Sequence, residues 1–127
     1  MLKFKRFIAV LFAGVTLCLC LCMSACGEDG LGHGFEYVEE PTLYIDYNSY
    51  LGYSAEIRGV IKNTSSNDYD YVEIEYTVYD QKGNNIGTAL ANVNNLGAGE
   101  TWSFTATLLD FPSSAPESFK LKDITAW

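Results

Sequence analysis

The chain has 127 residues, of which 16 are acidic and 8 basic, so its formal net charge at pH 7 is −8. Proteins bind nucleic acids and anionic lipid headgroups through basic patches, and this composition argues against both as partners. The length favours a single domain with a hydrophobic core of its own.

Residues 1–25 have the pattern of a cleaved secretory signal peptide. Lys3, Lys5 and Arg6 provide a cationic start, a nearly unbroken apolar run covers 7–22, and small residues follow it. A transmembrane helix needs about 20 apolar residues, and this run is shorter. We therefore expect a signal helix that is removed from the mature protein.

The leader closes on Met23-Ser24-Ala25-Cys26, which resembles the lipobox of bacterial lipoproteins, with Met23 where Leu is usual. The resemblance implies cleavage before Cys26 and acylation of its thiol. Two acyl chains hold a protein stably on a membrane. The predicted location is therefore the extracytoplasmic face of the cell membrane, with the lipid on Cys26 as the contact with the bilayer.

The predicted mature chain has one cysteine, because Cys18, Cys20 and Cys22 leave with the leader. Its folded part is therefore expected to be stable without disulfides. All 16 acidic residues but only five basic ones follow residue 25, which gives the mature chain a net charge of −11. That charge favours solubility and is compatible with a basic partner.

Residues 26–41 are predicted to form a flexible acidic tether, because four glycines and five acidic residues occur there without a sustained period. His33, the sole histidine of the chain, lies within it. A general base needs a fixed geometry, so His33 is not expected to be catalytic.

From residue 42 onward, apolar residues recur at every second position, which predicts half-buried β-strands. The clearest strands are 55–63, 71–80 and 101–108, and weaker ones are 43–47, 86–93 and 119–126. Asp123 breaks the alternation of the last strand and indicates a bulge. Polar turns separate the strands, so residues 42–127 are predicted to form an all-β antiparallel sandwich of six to seven strands.

The alternation also predicts the core and two local roles. Five large side chains should be buried together, namely Ile57, Ile74, Tyr76, Trp102 and Phe104. Gly59 should leave room for a large core side chain beside its strand. Asn63 should hydrogen-bond to the backbone of its own turn.

Three segments resemble the FxLYD domain, a small immunoglobulin-like module of bacterial lipoproteins and secreted proteins, common in Gram-positive species. They are Gly59-Val-Ile-Lys-Asn63, then Tyr76-Thr-Val-Tyr-Asp80 with Gly83, and Leu96-Gly-Ala-Gly-Glu-Thr101 with Phe104. The match covers residues 55–108, with Tyr76 where Phe and Val78 where Leu are usual. The resemblance implies an immunoglobulin-like sandwich and brings no catalytic residues.

One strand carries the predicted binding surface. Tyr71, Glu73, Glu75 and Tyr79 alternate with apolar residues and should form an outward acidic and aromatic row. Exposed tyrosines are favoured at interfaces because they supply contact area with little loss of entropy. The row would suit an envelope protein or a glycan, whereas the alternative is that these rings only cover the sheet.

Asp68 and Asp70 are weak candidates for a calcium site because both carry hard oxygen ligands within one loop. Calcium takes about six to eight oxygens, and the spacing is unlike that of an EF-hand. No metal and no cofactor is therefore expected.

We consider three classes of function. A non-catalytic binding or accessory module of the cell envelope is preferred, and a structural spacer or a subunit of an envelope complex is the alternative. An envelope hydrolase would need a nucleophile with a base or two positioned carboxylates. Glu73 and Glu75 are the only candidates, and they point the same way from one strand, so the protein is predicted not to be an enzyme.

Overall fold

A computed structural model describes residues 31–127, and this part of the chain is all β. Its strands are β1 (Phe35–Asn48), β2 (Gly52–Asn63), β3 (Tyr69–Asp80), β4 (Asn85–Leu96), β5 (Thr101–Leu108) and β6 (Pro116–Ala126). No helix within 31–127 is long and apolar enough to cross a membrane. The predicted signal peptide and the lipidation of Cys26 lie outside the described residues.

All neighbouring strands are antiparallel, in the order β1-β2-β5-β4-β3-β6. The register between β4 and β5 covers only Ala89↔Leu108 and Leu90↔Thr107, whereas the other pairs run along most of their length. The sheet therefore curls, and Phe104 on β5 packs against Tyr76 on β3. The number of strands and the antiparallel all-β class agree with the sequence prediction, and a register shift beside Asp123 confirms the bulge.

The core forms from the inward positions of the alternating strands. Its largest members with almost no exposure include Ile57, Ile61, Val72, Ile74, Tyr76, Val78 and Phe104. The rings of Tyr76 and Phe104 stack with centroids 6.1 Å apart. Four of the five predicted core residues are therefore confirmed as buried together.

The prediction for Trp102 is only partly right, because its side chain is half-buried rather than buried. It pairs with Ile61 near the start of β5. Its ring lies 5.7 Å from that of Phe104. The phase of the strand is correct, since Phe104, Ala106 and Leu108 on the same face of β5 are buried, but Trp102 near the start of the strand is less covered.

The predicted tether is wrong for residues 35–41, which belong to β1. Phe35 pairs with Asn63, and Tyr37 pairs with Ile61. Phe35 and Leu31 are buried members of the core. Register shifts on either side of Glu39 interrupt the alternation, and that interruption, together with the glycines and acidic residues, hid the strand in the sequence. The folded domain therefore includes Leu31 instead of beginning at residue 42.

The strands define two ends of the domain. The proximal end holds Leu31, the loops 64–68 and 97–100, and the last residue of the chain, because β1 and β3 start there and β2 ends there. The distal end holds the turn 49–51, the turn 81–84 and the loop 109–115. Strands of this length separate the two ends by about 40 Å.

Asn63 organises the proximal end and is completely buried. Its Nδ2 donates to the carbonyls of Asn67 (2.8 Å) and Leu96 (3.3 Å), and its Oδ1 accepts from the backbone N–H of Ser65 (3.0 Å). The predicted structural role of Asn63 is therefore confirmed, and it extends beyond its own turn to β4.

Candidate functional site

Exposed apolar side chains concentrate at the distal end. Five of them form what we call the distal patch, namely Tyr47, Tyr50, Leu51, Leu109 and Phe111. Tyr50 is 94% exposed and Leu109 60% exposed. Exposed apolar clusters of this kind mark interaction sites more often than scattered single residues do.

The turn that carries Tyr50 is held by hydrogen bonds between its backbone and the side chain of Asn48. The Oδ1 of Asn48 accepts hydrogen bonds from the N–H groups of Tyr50 (2.8 Å) and Leu51 (3.0 Å). Asparagine favours turns because its side chain can bind the backbone in this way. Gly52 follows with φ of 108°, a conformation that other residues rarely adopt.

The same turn rests on the loop between β5 and β6. The N–H of Tyr53 donates to the carbonyl of Pro112 at 3.0 Å. A Cβ on Gly52 would lie 2.8 Å from that same carbonyl oxygen and 3.1 Å from the carbonyl oxygen of Phe111. The two segments that carry the distal patch are therefore in direct backbone contact.

A shallow groove of about 290 Å³ lies beside the patch on β1 and β2, at the small end of ligand sites. Its lining includes Tyr44, Asp46, Ser54, Glu56 and Arg58. The guanidinium of Arg58 lies 4.3 Å from the centre of the Tyr44 ring and 2.6 Å from Glu56 Oε1. Because Glu56 neutralises Arg58, the groove keeps the negative charge of Asp46.

The predicted row on β3 is half-buried, and part of it is engaged within the chain. The ring of Tyr71 packs against Trp127 at 4.7 Å, and its hydroxyl donates to Glu73 Oε2 at 3.2 Å. Partial desolvation, followed by the hydrogen bond to Glu73 and its charge, raises the pKa of Tyr71. Tyr71 therefore has a structural role in covering the proximal end.

The other members of the row are also partly engaged. Glu75 lies 3.5 Å from Lys122 Nζ in a partly exposed ion pair, and such pairs contribute about 0–1 kcal/mol to stability. Tyr79 is half-buried. The structure thus keeps the predicted residues on one face of β3 but leaves less of that face open than the sequence indicated.

The weak calcium candidates have other contacts. Asp68 Oδ1 accepts the N–H of Ala98 at 2.8 Å and thereby joins two proximal loops. The N–H of Asp70 donates to the carbonyl of Trp127 at 2.7 Å. Within residues 31–127, no three His, Cys, Asp or Glu side chains come together as metal ligands.

His33 occupies an exposed turn with φ of 54°. Its carbonyl accepts a hydrogen bond from the Tyr69 hydroxyl at 3.1 Å. The contact uses the backbone of His33 and ties the turn to β3 without involving the imidazole.

No family model matches this sequence, and no curated protein matches it either. Among solved structures, the chain is similar to a beta-glucuronidase of Bacteroides uniformis, with 20% sequence identity and a TM-score of 0.48. The similarity covers 68% of this chain and only 12% of that chain. A likeness of this size carries no inference about activity.

Proposed function

We propose that the protein is a lipid-anchored, non-catalytic binding or accessory module on the extracytoplasmic face of a bacterial cell membrane. The observation that carries the binding role is the concentration of exposed apolar side chains at the distal end. Among residues 31–127, every large apolar side chain with high exposure belongs to this end or to the adjoining part of β1, except Val38 and Trp127.

The fold that we propose for this role is an immunoglobulin-like sandwich of the FxLYD type. Its support is the very short pairing between β4 and β5 and the packing of Phe104 against Tyr76 across the core. Two residues of the segments that resemble the family have structural roles here, since Gly59 lies against Phe104 and Asp80 closes the turn after β3.

The proposed anchor determines which end meets a partner. Four residues, 27–30, separate Cys26 from the buried Leu31, and the five Cα–Cα steps between the two can span at most about 17 Å. Leu31 is at the proximal end, so the lipid would hold that end near the bilayer. The distal patch, about 40 Å away along the strands, would then face away from the membrane.

The remaining classes fit less well. Glu73 accepts a hydrogen bond from Tyr71 and Glu75 is paired with Lys122, which gives no support to an envelope hydrolase that uses these two carboxylates. A structural spacer requires no exposed apolar end, and exposed apolar surface carries a solubility cost in a protein without a partner. The binding module is therefore preferred, with an envelope protein or a glycan as the partner.

Metabolic labelling with palmitate tests the anchor. The wild-type protein expressed in a bacterium should take up the label and enter the detergent phase, and Cys26→Ala should abolish both. Cys22→Ala is the matched control, because Cys22 belongs to the predicted leader and its loss should leave the label in place. Labelling that survives Cys26→Ala would overturn the anchored form of the proposal.

A further inference from the structure

Among residues 31–127, strand β1 is one of the two edges of the sheet, and no described strand pairs with the outer side of its second half. The N–H of Tyr47 donates to the side chain of Asp46 at 2.9 Å, so it points away from β2. Backbone groups of an antiparallel strand alternate in direction from one residue to the next. The N–H and C=O groups of Leu43 and Ile45 therefore also point away from β2.

The two edges of the sheet are protected unequally. The first half of β1 has register shifts around Glu39 and contains Pro41, and β6 has a register shift together with Lys120 and Lys122. Bulges, prolines and lysines are the usual protection against unwanted strand pairing. The segment Leu43–Asn48 has a regular register and none of these three.

Both faces of this segment are available to a partner. Ile45 and Tyr47 share the face of Ala55 and Tyr53, yet Ile45 is 46% exposed. Tyr44 and Asp46 lie on the opposite face, and both are exposed. An added strand would thus meet apolar side chains on one face and a tyrosine with an unneutralised carboxylate on the other.

We propose that the segment Leu43–Asn48 receives an extended segment of a partner protein as a seventh strand of the sheet. Backbone hydrogen bonds to the open edge supply affinity in this mode, and alternate side chains supply specificity. The matching segment carries apolar or β-branched residues on the face of Ile45 and Tyr47. The partner segment also carries a lysine or arginine opposite Asp46. The partner residues that follow this segment bind the distal patch. The inference rests on the proposed binding role.

A second copy of this chain is a poorer occupant. Symmetric pairing of two β1 edges is antiparallel, which sends the two Leu31 ends in opposite directions along the strands. Each Leu31 is tied by 26–30 to the lipid of the same membrane. With the strands upright on the bilayer, one of the two anchors could not reach it.

The test uses the full-length lipidated protein in nanodiscs and a phage-displayed library of random twelve-residue peptides. We expect enriched peptides to alternate apolar with polar residues, to contain Lys or Arg, and to slow hydrogen exchange at the amides of Leu43 and Ile45. Ile45→Lys should weaken binding of a synthetic enriched peptide at least tenfold. Val38→Lys is the matched control, because Val38 is 55% exposed on the protected half of the same strand, and its binding should be unchanged.

Several results would overturn the proposal. One is that the library enriches no peptide, and another is that enriched peptides leave hydrogen exchange at Leu43 and Ile45 unaltered. The proposal also fails if Ile45→Lys and Val38→Lys weaken peptide binding equally. It fails as well if a dimer of this chain occupies the edge in the absence of peptide. Loss of palmitate labelling in the same preparation would instead contradict the anchor. Palmitate labelling thus tests the anchor, whereas peptide binding and hydrogen exchange test the open edge, so failures of the two are distinguishable.

Discussion

The hydroxyl of Tyr37 lies 2.7 Å from the hydroxyl of Tyr76 and ties the edge strand β1 to β3, which lies between β4 and β6 in the sheet. Tyr76 is almost completely buried, whereas Tyr37 is half-buried. Burial, together with the neighbouring Tyr37, raises the pKa of Tyr76 far above its ordinary value, and burial also raises the pKa of Tyr37. Both groups therefore favour the folded state while they are protonated.

Removal of the partially exposed partner should destabilise the protein. Tyr37→Phe leaves the Tyr76 hydroxyl buried without a partner and should lower the free energy of unfolding by about 1–3 kcal/mol. The double variant Tyr37→Phe/Tyr76→Phe should recover part of that loss in urea unfolding. Equal stability of the wild type and Tyr37→Phe would show that the hydroxyl pair contributes nothing.

The same pair predicts alkaline sensitivity. Because the folded-state pKa values exceed the unfolded value of about 10, the stability from these hydroxyls is present below pH 10 and is lost as pH rises above it. The slope of stability against pH between 10 and 11 should be smaller in the double phenylalanine variant. An identical slope in the two proteins would contradict the assignment.

Gly59 and Phe104 form a second pair whose fit is testable. A Cβ on Gly59 would lie 2.9 Å from Phe104 Cζ and 3.2 Å from the carbonyl oxygen of Glu39. Gly59→Ala should therefore cost about 1–3 kcal/mol through overpacking, and Phe104→Ala about 3–5 kcal/mol through the cavity that it leaves. In a Phe104→Leu background the cost of Gly59→Ala should shrink, which a double-mutant cycle measures. Strict additivity would show that the ring does not set the cost.

Asp80 should make the turn after β3 sensitive to acid. Its Oδ1 accepts the N–H groups of Asn84 (2.8 Å) and Lys82 (2.9 Å). The bond from Asn84 is the largest cause of a lowered pKa for Asp80. The stability from its charge is thus present above the unfolded pKa of about 4 and is lost as pH falls through the lower folded value. The wild type should exceed Asp80→Asn in stability at pH 7, and this gap should close in acid; a gap that widens below pH 4 would contradict the assignment.

The tyrosines of β3 should prove structural. Tyr71→Ser removes the contact with Trp127, so Tyr71→Ser/Tyr79→Ser should lower the melting temperature. Thr77→Ser on the same face is a mild control. At a temperature where Tyr71→Ser/Tyr79→Ser is folded, this variant should recover the same amount of a crosslinked partner from membranes as the wild type does. Loss of crosslinking without loss of stability would contradict this prediction and support β3 as the binding surface.

The alternation of the sequence predicted most strands and the centre of the core, because inward residues at period two are what a half-buried strand requires. It failed at Phe35 and Tyr37, where register shifts break the period. Alternation also assigns a face without showing what covers that face. Ile45 and Tyr47 are in phase with the core, yet they remain exposed near the distal end.

The candidate site was harder to predict than the fold. The distal patch combines the turn 49–51 with Leu109 and Phe111, and contacts of Gly52 and Tyr53 with the loop 109–115 bring them together. Likewise, the partner of Tyr71 is the last residue of the chain. Contacts between residues so distant in sequence leave no local pattern. The available signal was composition, since tyrosine, serine, asparagine and glycine in the turn are typical of binding loops.

The most direct test of the binding role is photo-crosslinking from the distal end in intact membranes. A crosslinking amino acid replaces Tyr50, whose side chain has almost no contacts to lose, or Ser66, which is exposed at the proximal end. The two proteins are compared at equal palmitate labelling. We predict that position 50 gives a discrete adduct and that position 66 gives none of that size. Adding Leu51→Ser and Phe111→Ser should abolish the adduct from position 50. Equal adducts from both positions, or no adduct from position 50, would contradict a binding module that acts through its distal end and would favour a spacer.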